Sequence, residues 1–249
     1  MPVVPLVIPC FNEALRLPVP QFLSDLREQP DLHLLFVNDG STDATTEVLQ
    51  QLVDAFPERV RSLSLPRNQG KAEAVRAGML KAHAIWPNAT YTGFFDADLA
   101  TPLNEAQRLL RSVAPWRPSM LIGSRVNLYG TTRIQRSNMR HYVGRLSATM
   151  VSMSLGLGVY DTQCGAKLFR NDVLPQLFDK PFISRWLFDV ELIWRLLIVV
   201  GRQRMPQELA EVPVSQWDER GGSKVRFSDG LRVPFALWRI RRAYSGRVR

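Results

Sequence analysis

Through the first half of the chain, short apolar runs alternate with longer segments whose apolar residues recur every three or four positions. Val3 to Ile8, Leu32 to Val37, Val60 to Leu65, Tyr91-Thr92-Gly93-Phe94-Phe95 and Met120-Leu121-Ile122 read as strands. Between them a helix is expected from about Thr42, with Val48, Leu49, Leu52 and Phe56 at helical spacing. A second spans 70–85 with Val75, Met79 and Ala82 on one side, and a third opens with Pro102 in its first turn. Strands alternating with helices imply an α/β fold with a mostly parallel sheet, and ligands gather at the carboxyl ends of its strands. The polar motifs of this half fall at such ends. Near residue 125 the rhythm loosens and the acids vanish, so 1–124 and 125–249 read as two halves of one domain.

Composition narrows the picture. The chain has 249 residues, with hydrophobic and charged fractions ordinary for a globular protein. It carries two cysteines, Cys10 and Cys164, in different motifs, which suits reduced thiols in a cytoplasmic protein. Met-Pro-Val-Val-Pro lacks the basic n-region of a signal peptide, and no apolar run approaches the length of a membrane span. The net charge of +9 is localised: residues 125–160 hold five arginines and no acid, and 220–249 hold nine basic residues against Asp229 alone. Those stretches together carry +13, which implies an anionic partner. The basic residues are not interleaved with an aromatic stacking platform, which argues against nucleic acid.

The most informative motif is Asp96-Ala97-Asp98, directly after an apolar strand. Residues i and i+2 of a strand project the same way, and carboxylate oxygens suit a hard divalent ion. The pair therefore reads either as a Mg²⁺ or Mn²⁺ site or as a solvated strand end. Pro9-Cys10-Phe11-Asn12-Glu13 closes the first strand, and Asp39-Gly40-Ser41-Thr42-Asp43 closes the second with Ser41 or Thr42 as helix N-cap. Asn68-Gln69-Gly70-Lys71 opens a helix where Lys71 could meet a phosphate. P-loop and G-x-G-x-x-G spacings are absent. His33, His83 and His141 are scattered outside any metal-ligand spacing and read as structural or surface residues.

Taken in order, PCFNE, VNDGSTD, NQGKAEAVRAG, FFDADLATP, IGSR, DTQCGAKLF, RWLFDVELIWR and VPVSQWDERGGSKV resemble the inverting family-2 glycosyltransferases with the GT-A fold. The similarity is to the branch of dolichyl-phosphate β-glucosyltransferases and related polyprenyl-phosphate glycosyltransferases. It implies a Rossmann-like, mostly parallel mixed sheet flanked by helices in a single domain. Residues 1–124 would bind the nucleotide sugar, and 125–249 would bind the acceptor and face the membrane. Pro9, Phe11 and Glu13 would border the nucleotide base and Asp39 would hydrogen-bond it. Lys71, Asp96, Arg125 and Lys224 would contact the donor, and Asp96 with Asp98 would hold the metal. Ala100 replaces a glutamine frequent in mannosyl-transferring relatives, which favours a glucosyl donor, and Ala166 replaces an aromatic, which widens the acceptor pocket.

The implied reaction is transfer of a hexose, glucose from UDP-glucose, to a polyprenyl phosphate at the cytoplasmic membrane face. A hydroxyl acceptor, soluble or glycolipid, is the alternative, and a non-catalytic basic binding protein is a third. Asp161 and Asp189 are the candidate catalytic carboxylates, each also suited to a cap or an ion pair; Asp189 and Glu191 cannot share one helix face. Two segments read as either core-packing or interfacial helices. In 136–157 the stripe is Tyr142, Leu146, Met150, Met153 and Leu157, edged by Arg136, Arg140 and Arg145. Near the C-terminus it is Val233, Leu237, Ile240 and Tyr244, with Arg239 and Arg242 opposite.

Overall fold

The computed structural model of the protein describes residues 3–126, 132–135, 148–218 and 233–248. In chain order the first half runs β1 (Val4–Cys10), α1 (Val19–Glu28), β2 (Leu32–Asn38), α2 (Thr45–Ala55), β3 (Val60–Ser64), α3 (Lys71–Ile85), β4 (Tyr91–Phe95), α4 (Asn104–Ser112) and β5 (Met120–Ser124). The second half adds β6 (Arg133–Gln135), β7 (Ala166–Arg170), α5 (Leu174–Phe178), α6 (Phe188–Val200), α7 (Met205–Glu208), β8 (Leu209–Pro213), β9 (Gln216–Asp218) and α8 (Val233–Tyr244). Residues 148–155 are also helical.

Seven strands form one sheet in the order β3-β2-β1-β4-β7-β5-β8, and β6 pairs with β9 beside it. All neighbours in the large sheet are parallel except β7, which runs antiparallel between β4 and β5. The chain moves outward from β1 through β2 to β3, then returns to β4 on the other side of β1. The crevice between the carboxyl ends of β1 and β4 is therefore a topological switch point, where open α/β sheets bind ligands. Because β7 is reversed, its beginning lies at this same edge: Ala166 sits opposite Phe95, the last residue of β4.

The central strands are mostly apolar on both faces because both are covered. In β1, Leu6 and Ile8 pack with α1, α2 and α4, whereas Val7 joins α3, α5, α6 and α8 on the other side. Leu34 and Phe36 of β2 follow the first set, Leu35 and Val37 the second. Among the described residues, no helix is long and apolar enough to cross a membrane.

Three expectations need correction. The helix expected from about Thr42 is α2 and begins at Thr45, because Ser41, Thr42 and Asp43 form a bonded loop instead. Asp96 and Asp98 do not share a strand face: β4 stops at Phe95, and Asp96 to Leu99 form a turn closed by Leu99 N–H donating to Asp96 O at 3.2 Å, with Leu99 at φ +52°. The stripe of 136–157 is only in part a core face where it can be seen: Met150 and Leu157 are partly buried against the core. Val151 and Leu155 are buried and Met153 is exposed, while Tyr142, Leu146, Arg136, Arg140, Arg145 and His141 lie outside the described residues.

Candidate active site

The loops after β1 and β2 are locked to each other by their own polar side chains. Asn12 sits at φ +52°, its N–H donates to Ser41 Oγ at 3.0 Å, and its Oδ1 accepts from Thr42 N–H at 2.9 Å. Glu13 N–H donates to Thr45 Oγ1 at 2.8 Å, and Asp43 accepts from Ala14 N–H, Thr45 N–H and Thr45 Oγ1. Those bonds, the Thr45 hydroxyl first, hold the Asp43 carboxyl below its ordinary range. Ser41 and Thr42 thus join two loops rather than cap a helix, and α2 has no side-chain cap. Glu13 is also paired with Arg16, while Pro9 and Phe11 are half-buried at the same edge.

Asp39, 2% exposed, organises a third loop. Its carboxylate accepts from Gln69 N–H at 2.8 Å, Gly70 N–H at 2.7 Å and Asn68 Nδ2 at 3.0 Å. Gly40, at φ +63°, has no room for a side chain, since a Cβ would lie 2.4 Å from the Arg67 carbonyl carbon. The Gly40 loop therefore crosses directly against the Arg67–Asn68 backbone, and Asp39 fixes the approach of the chain to α3. Arg185 clamps the other side through two bonds to Gln69 O, at 2.6 and 3.0 Å.

Lys71, the first residue of α3, reaches Asp96 at 2.5 Å. Desolvation pulls the Lys71 ammonium down, but Asp96, Asp189 and Asp98 outweigh it and raise its pKa. Asp96 N–H donates to Gly165 O at 3.1 Å, and the carboxylate lies directly over the Gly165 α-carbon. A Cβ there would stand 2.1 Å from Asp96 Oδ2 and 2.4 Å from Cγ. Asp98 is exposed, and its Oδ1 accepts from Ala100 N–H at 3.0 Å.

This arrangement fits a divalent cation in a particular way. Among the described residues, no third carboxylate, imidazole or thiol joins Asp96 and Asp98 as a ligand set. Two carboxylates completed by phosphate oxygens and water are an ordinary donor set for Mg²⁺. The missing side chain at Gly165 supplies the cradle in which Asp96 sits.

Lys167 is a charged residue inside the sheet, 0% exposed. Its Nζ donates to Cys164 O at 2.6 Å, lies 2.7 Å from Asp189 Oδ1 and stands over the Phe94 ring at 5.2 Å. Asp189 lies in the first turn of α6, where the helix dipole also favours its charge. Glu191 points elsewhere, accepting from Ile183 N–H, Ser184 N–H and Tyr244 Oη. Its burial raises its pKa, the hydrogen bonds and Arg195 opposing the shift.

Arg125 follows β5 and grips Asp161 with Nε and Nη2, both at 2.7 Å, while its backbone N–H adds a third bond at 2.9 Å. Burial raises the Asp161 carboxyl, but the Arg125 bonds and charge outweigh it and hold the group below the ordinary range. Glu211 accepts from the N–H groups of Tyr160 and Asp161, and Trp217 covers the Arg125 guanidinium at 5.5 Å. Asp218 N–H donates to Ala100 O at 3.1 Å, and Ser215 bonds to Glu105, so β9 is fastened to the Asp96–Asp98 turn. Lys224 lies outside the described residues, six positions beyond that anchor.

Pro9, Phe11, Glu13, Asp39, Lys71, Asp96, Asp98, Arg125, Asp161 and Asp189 therefore lie along one edge of the sheet, at or near the ends of neighbouring strands. The family described as "Glycosyl transferase family 2" matches residues 6–178. The chain belongs to glycosyl transferase family 2. This transferase is 32% identical to a dolichyl-phosphate beta-glucosyltransferase of Trichomonas vaginalis, over 94% of its own length and 69% of the relative's. It is 33% identical to the Mus musculus protein of that name (93% and 70% covered) and 31% identical to the Saccharomyces cerevisiae one (96% and 74%). In fold it is similar to glucosyl-3-phosphoglycerate synthase of Mycobacterium tuberculosis. The structure of that enzyme with UDP superposes with a TM-score of 0.65 at 17% identity, covering 98% of this transferase and 80% of the synthase. The structure with Mn²⁺, UDP and glucosyl-3-phosphoglycerate gives 0.66 at 18%, covering 96% and 80%.

Sequence reading overlooked Gly165, Lys167, Glu105 and Glu211. Gly165 and Lys167 fall inside the DTQCGAKLF motif, and a lysine in an apolar strand was itself a signal of a buried ion pair. Glu105 has a local partner in Arg108, but its bonds to Ser215, like those of Glu211 to Tyr160 and Asp161, reach about 110 and 50 residues along the chain and leave no local mark.

Proposed function

We propose that this transferase moves glucose, with inversion, from UDP-glucose to a polyprenyl phosphate of the dolichyl phosphate type, as a peripheral protein at the cytoplasmic membrane face. The observation that carries the reading is its identity of about 30% with dolichyl-phosphate beta-glucosyltransferases over more than nine-tenths of the chain. The state of the two candidate bases supports the same acceptor. Asp161 is held bidentate by Arg125, and Asp189 is paired with Lys167. A hydroxyl acceptor needs a carboxylate free to take its proton. A phosphate arrives as an anion and needs none.

An acceptor phosphate oxygen attacks the anomeric carbon opposite the UDP group. The new C–O bond forms as the bond to the diphosphate breaks, UDP leaves with the electron pair, and an α-linked donor gives a β-linked product. The barrier is the charge on the leaving group and the approach of two anions, which cations at fixed positions reduce. Lys71 would move from Asp96 to the diphosphate. Arg125, oriented by Asp161 and Trp217, would offer its remaining N–H groups, and Lys224 would close over the phosphates from the segment anchored at Ala100. Pro9, Phe11 and Glu13 would border the base, with Asp39 shaping the loop beside it. Asp96 and Asp98 would hold Mg²⁺ or Mn²⁺, which when bound neutralises the diphosphate as a Lewis acid. Asp161 and Asp189 are then positioning residues for Arg125 and Lys167.

The test offers the purified protein a panel of nucleotide sugars with polyprenyl phosphate and follows labelled sugar into the lipid extract, with and without EDTA. Glucose transfer from UDP-glucose that EDTA abolishes and Mn²⁺ restores is expected. Transfer only to hydroxyl acceptors, lost in Asp161→Asn and rescued by a small exogenous base, would replace this reading.

A further inference from the structure

The apolar stripe read from the C-terminal sequence is not a surface. Leu237, Ile240 and Tyr244 are buried in the core that includes α6, and Tyr244 Oη donates to Glu191 and accepts from Arg195 Nε. These contacts fix which side of α8 faces outward, and a different pair of apolar residues lies there. Phe235 is 63% exposed and Trp238 is 53% exposed. Their rings stack on each other at 5.9 Å with 22° between planes, and the Arg242 guanidinium lies 5.3 Å over Trp238.

Phe235, Trp238 and Arg242 follow one another at i, i+3 and i+7, one ridge of the helix. Arg239 and Arg241 are one turn from the aromatic pair, and all three arginines are exposed. The helix contains no acid, and among the described residues none of the three arginines is ion-paired. The Phe235 and Trp238 rings face away from the core that takes Leu237, Ile240 and Tyr244. Aromatic rings flanked by arginines match the boundary between lipid headgroups and acyl chains, where rings enter the apolar edge and guanidinium groups reach the phosphates.

We propose that the Phe235–Trp238 ridge of α8 is the surface by which the protein docks on an anionic bilayer, with Arg239, Arg241 and Arg242 as its phosphate-facing rim. The proposal rests on the lipid-acceptor reading for its purpose, although its geometry is independent of the active site. It differs from attraction by diffuse basic charge in one measurable respect. Arginine attraction is screened by salt within a Debye length of about 10 Å at 0.1 M, whereas burial of the rings is not. Part of the binding therefore survives at high salt.

The experiment measures co-sedimentation of the full chain with vesicles of phosphatidylcholine and phosphatidylglycerol (3:1) and of phosphatidylcholine alone, at 0.1 and 0.5 M NaCl. Phe235→Ser/Trp238→Ser should lower partitioning at least tenfold and remove the salt-resistant fraction. Arg239→Gln/Arg241→Gln/Arg242→Gln should lower it by about 100-fold at 0.1 M salt, as about fivefold per arginine implies, and leave the salt-resistant fraction. Circular dichroism melts should match wild type, because Leu237, Ile240 and Tyr244 are untouched. In the wild type, brominated lipid should quench a fluorescence component that the single Trp238→Phe variant lacks. Both multiple variants should keep wild-type rates with a short, water-soluble isoprenyl phosphate. Wild-type sedimentation by the serine variant would overturn the proposal. So would a phenotype confined to RNA binding, with vesicle binding unchanged. Absence of glucose transfer to the short acceptor by the wild type would count against the proposed reaction, while the vesicle results would still support this surface.

Discussion

The two sides of the crevice are built on different principles. On the side of β1, β2 and β3, the motif side chains mostly bond to backbone N–H groups and to each other: Asn12 with Ser41 and Thr42, Asp43 with Thr45, Asp39 with the Asn68–Gly70 loop. On the side of β4, β7 and β5, charges meet opposite charges: Lys167 with Asp189 and Arg125 with Asp161 at low exposure, and Lys71 with Asp96 nearer the surface. Neutral loop bonds such as those of Asn12 each contribute about 1 kcal/mol, bonds to the Asp39 and Asp43 carboxylates about 1.5–3 kcal/mol, and both kinds fix backbone shape. A buried charge pair contributes less net stability, yet breaking it leaves an unpaired ion, which costs far more. The first side is a rigid mould, and the second is a set of paired charges along the same edge of the sheet.

The largest effect is expected where the two principles meet, at Gly165. Gly165→Ala would push Asp96 out of its cradle without pressing on backbone. Its kcat/KM should fall about 100-fold, the scale of a displacement of about 1 Å, while thermal unfolding stays close to wild type. Activity near wild type would mean that the position of Asp96 is not critical.

Next comes the buried pair. Lys167→Met leaves Asp189 unpaired beneath the site and should cost about 3–5 kcal/mol of stability in urea unfolding. Lys167→Met/Asp189→Leu should recover most of it. A single variant as stable as wild type would place Lys167 among ordinary core residues.

Asp161→Asn should cost about 2 kcal/mol at neutral pH, since it removes charge-assisted bonds to Arg125. Its pH dependence is fixed by sign. The folded-state pKa of Asp161 lies below its unfolded value of about 3.9. The contribution is therefore fully present above that value and is lost as pH falls through the folded pKa. Unfolding free energies of wild type and variant should differ by a constant amount from pH 7 to 5, then converge as acid is added. A gap that widens in acid would contradict the assigned pairing.

The smallest effect sharpens the other half of the comparison. Ser41→Ala removes the acceptor for Asn12 N–H and should cost about 1 kcal/mol. Thr42→Ala, whose backbone N–H makes the bond, should stay within about 0.5 kcal/mol. Equal losses would restore both hydroxyls to a capping role.

Pattern alone was enough for the α/β alternation, the strand ends that carry the motifs, and the membership suggested by DTQCGAKLF and FDVEL. Those features are local: a strand buried on both faces must be apolar throughout, and chemistry-bearing residues must sit where such strands end. Three things lay beyond local reach. The reversal of β7 brings Gly165 under Asp96, and only strand order creates that contact. The partners of Asp161 and Asp189 lie about 20 to 40 positions away, so only the folded chain shows that each carboxylate is ion-paired. The outward face of α8 stayed open in the sequence because helical spacing marks an apolar stripe without saying whether core or lipid receives it. Burial of Ile240 and Tyr244 against the rest of the molecule decided that, and left Phe235 and Trp238 facing outward.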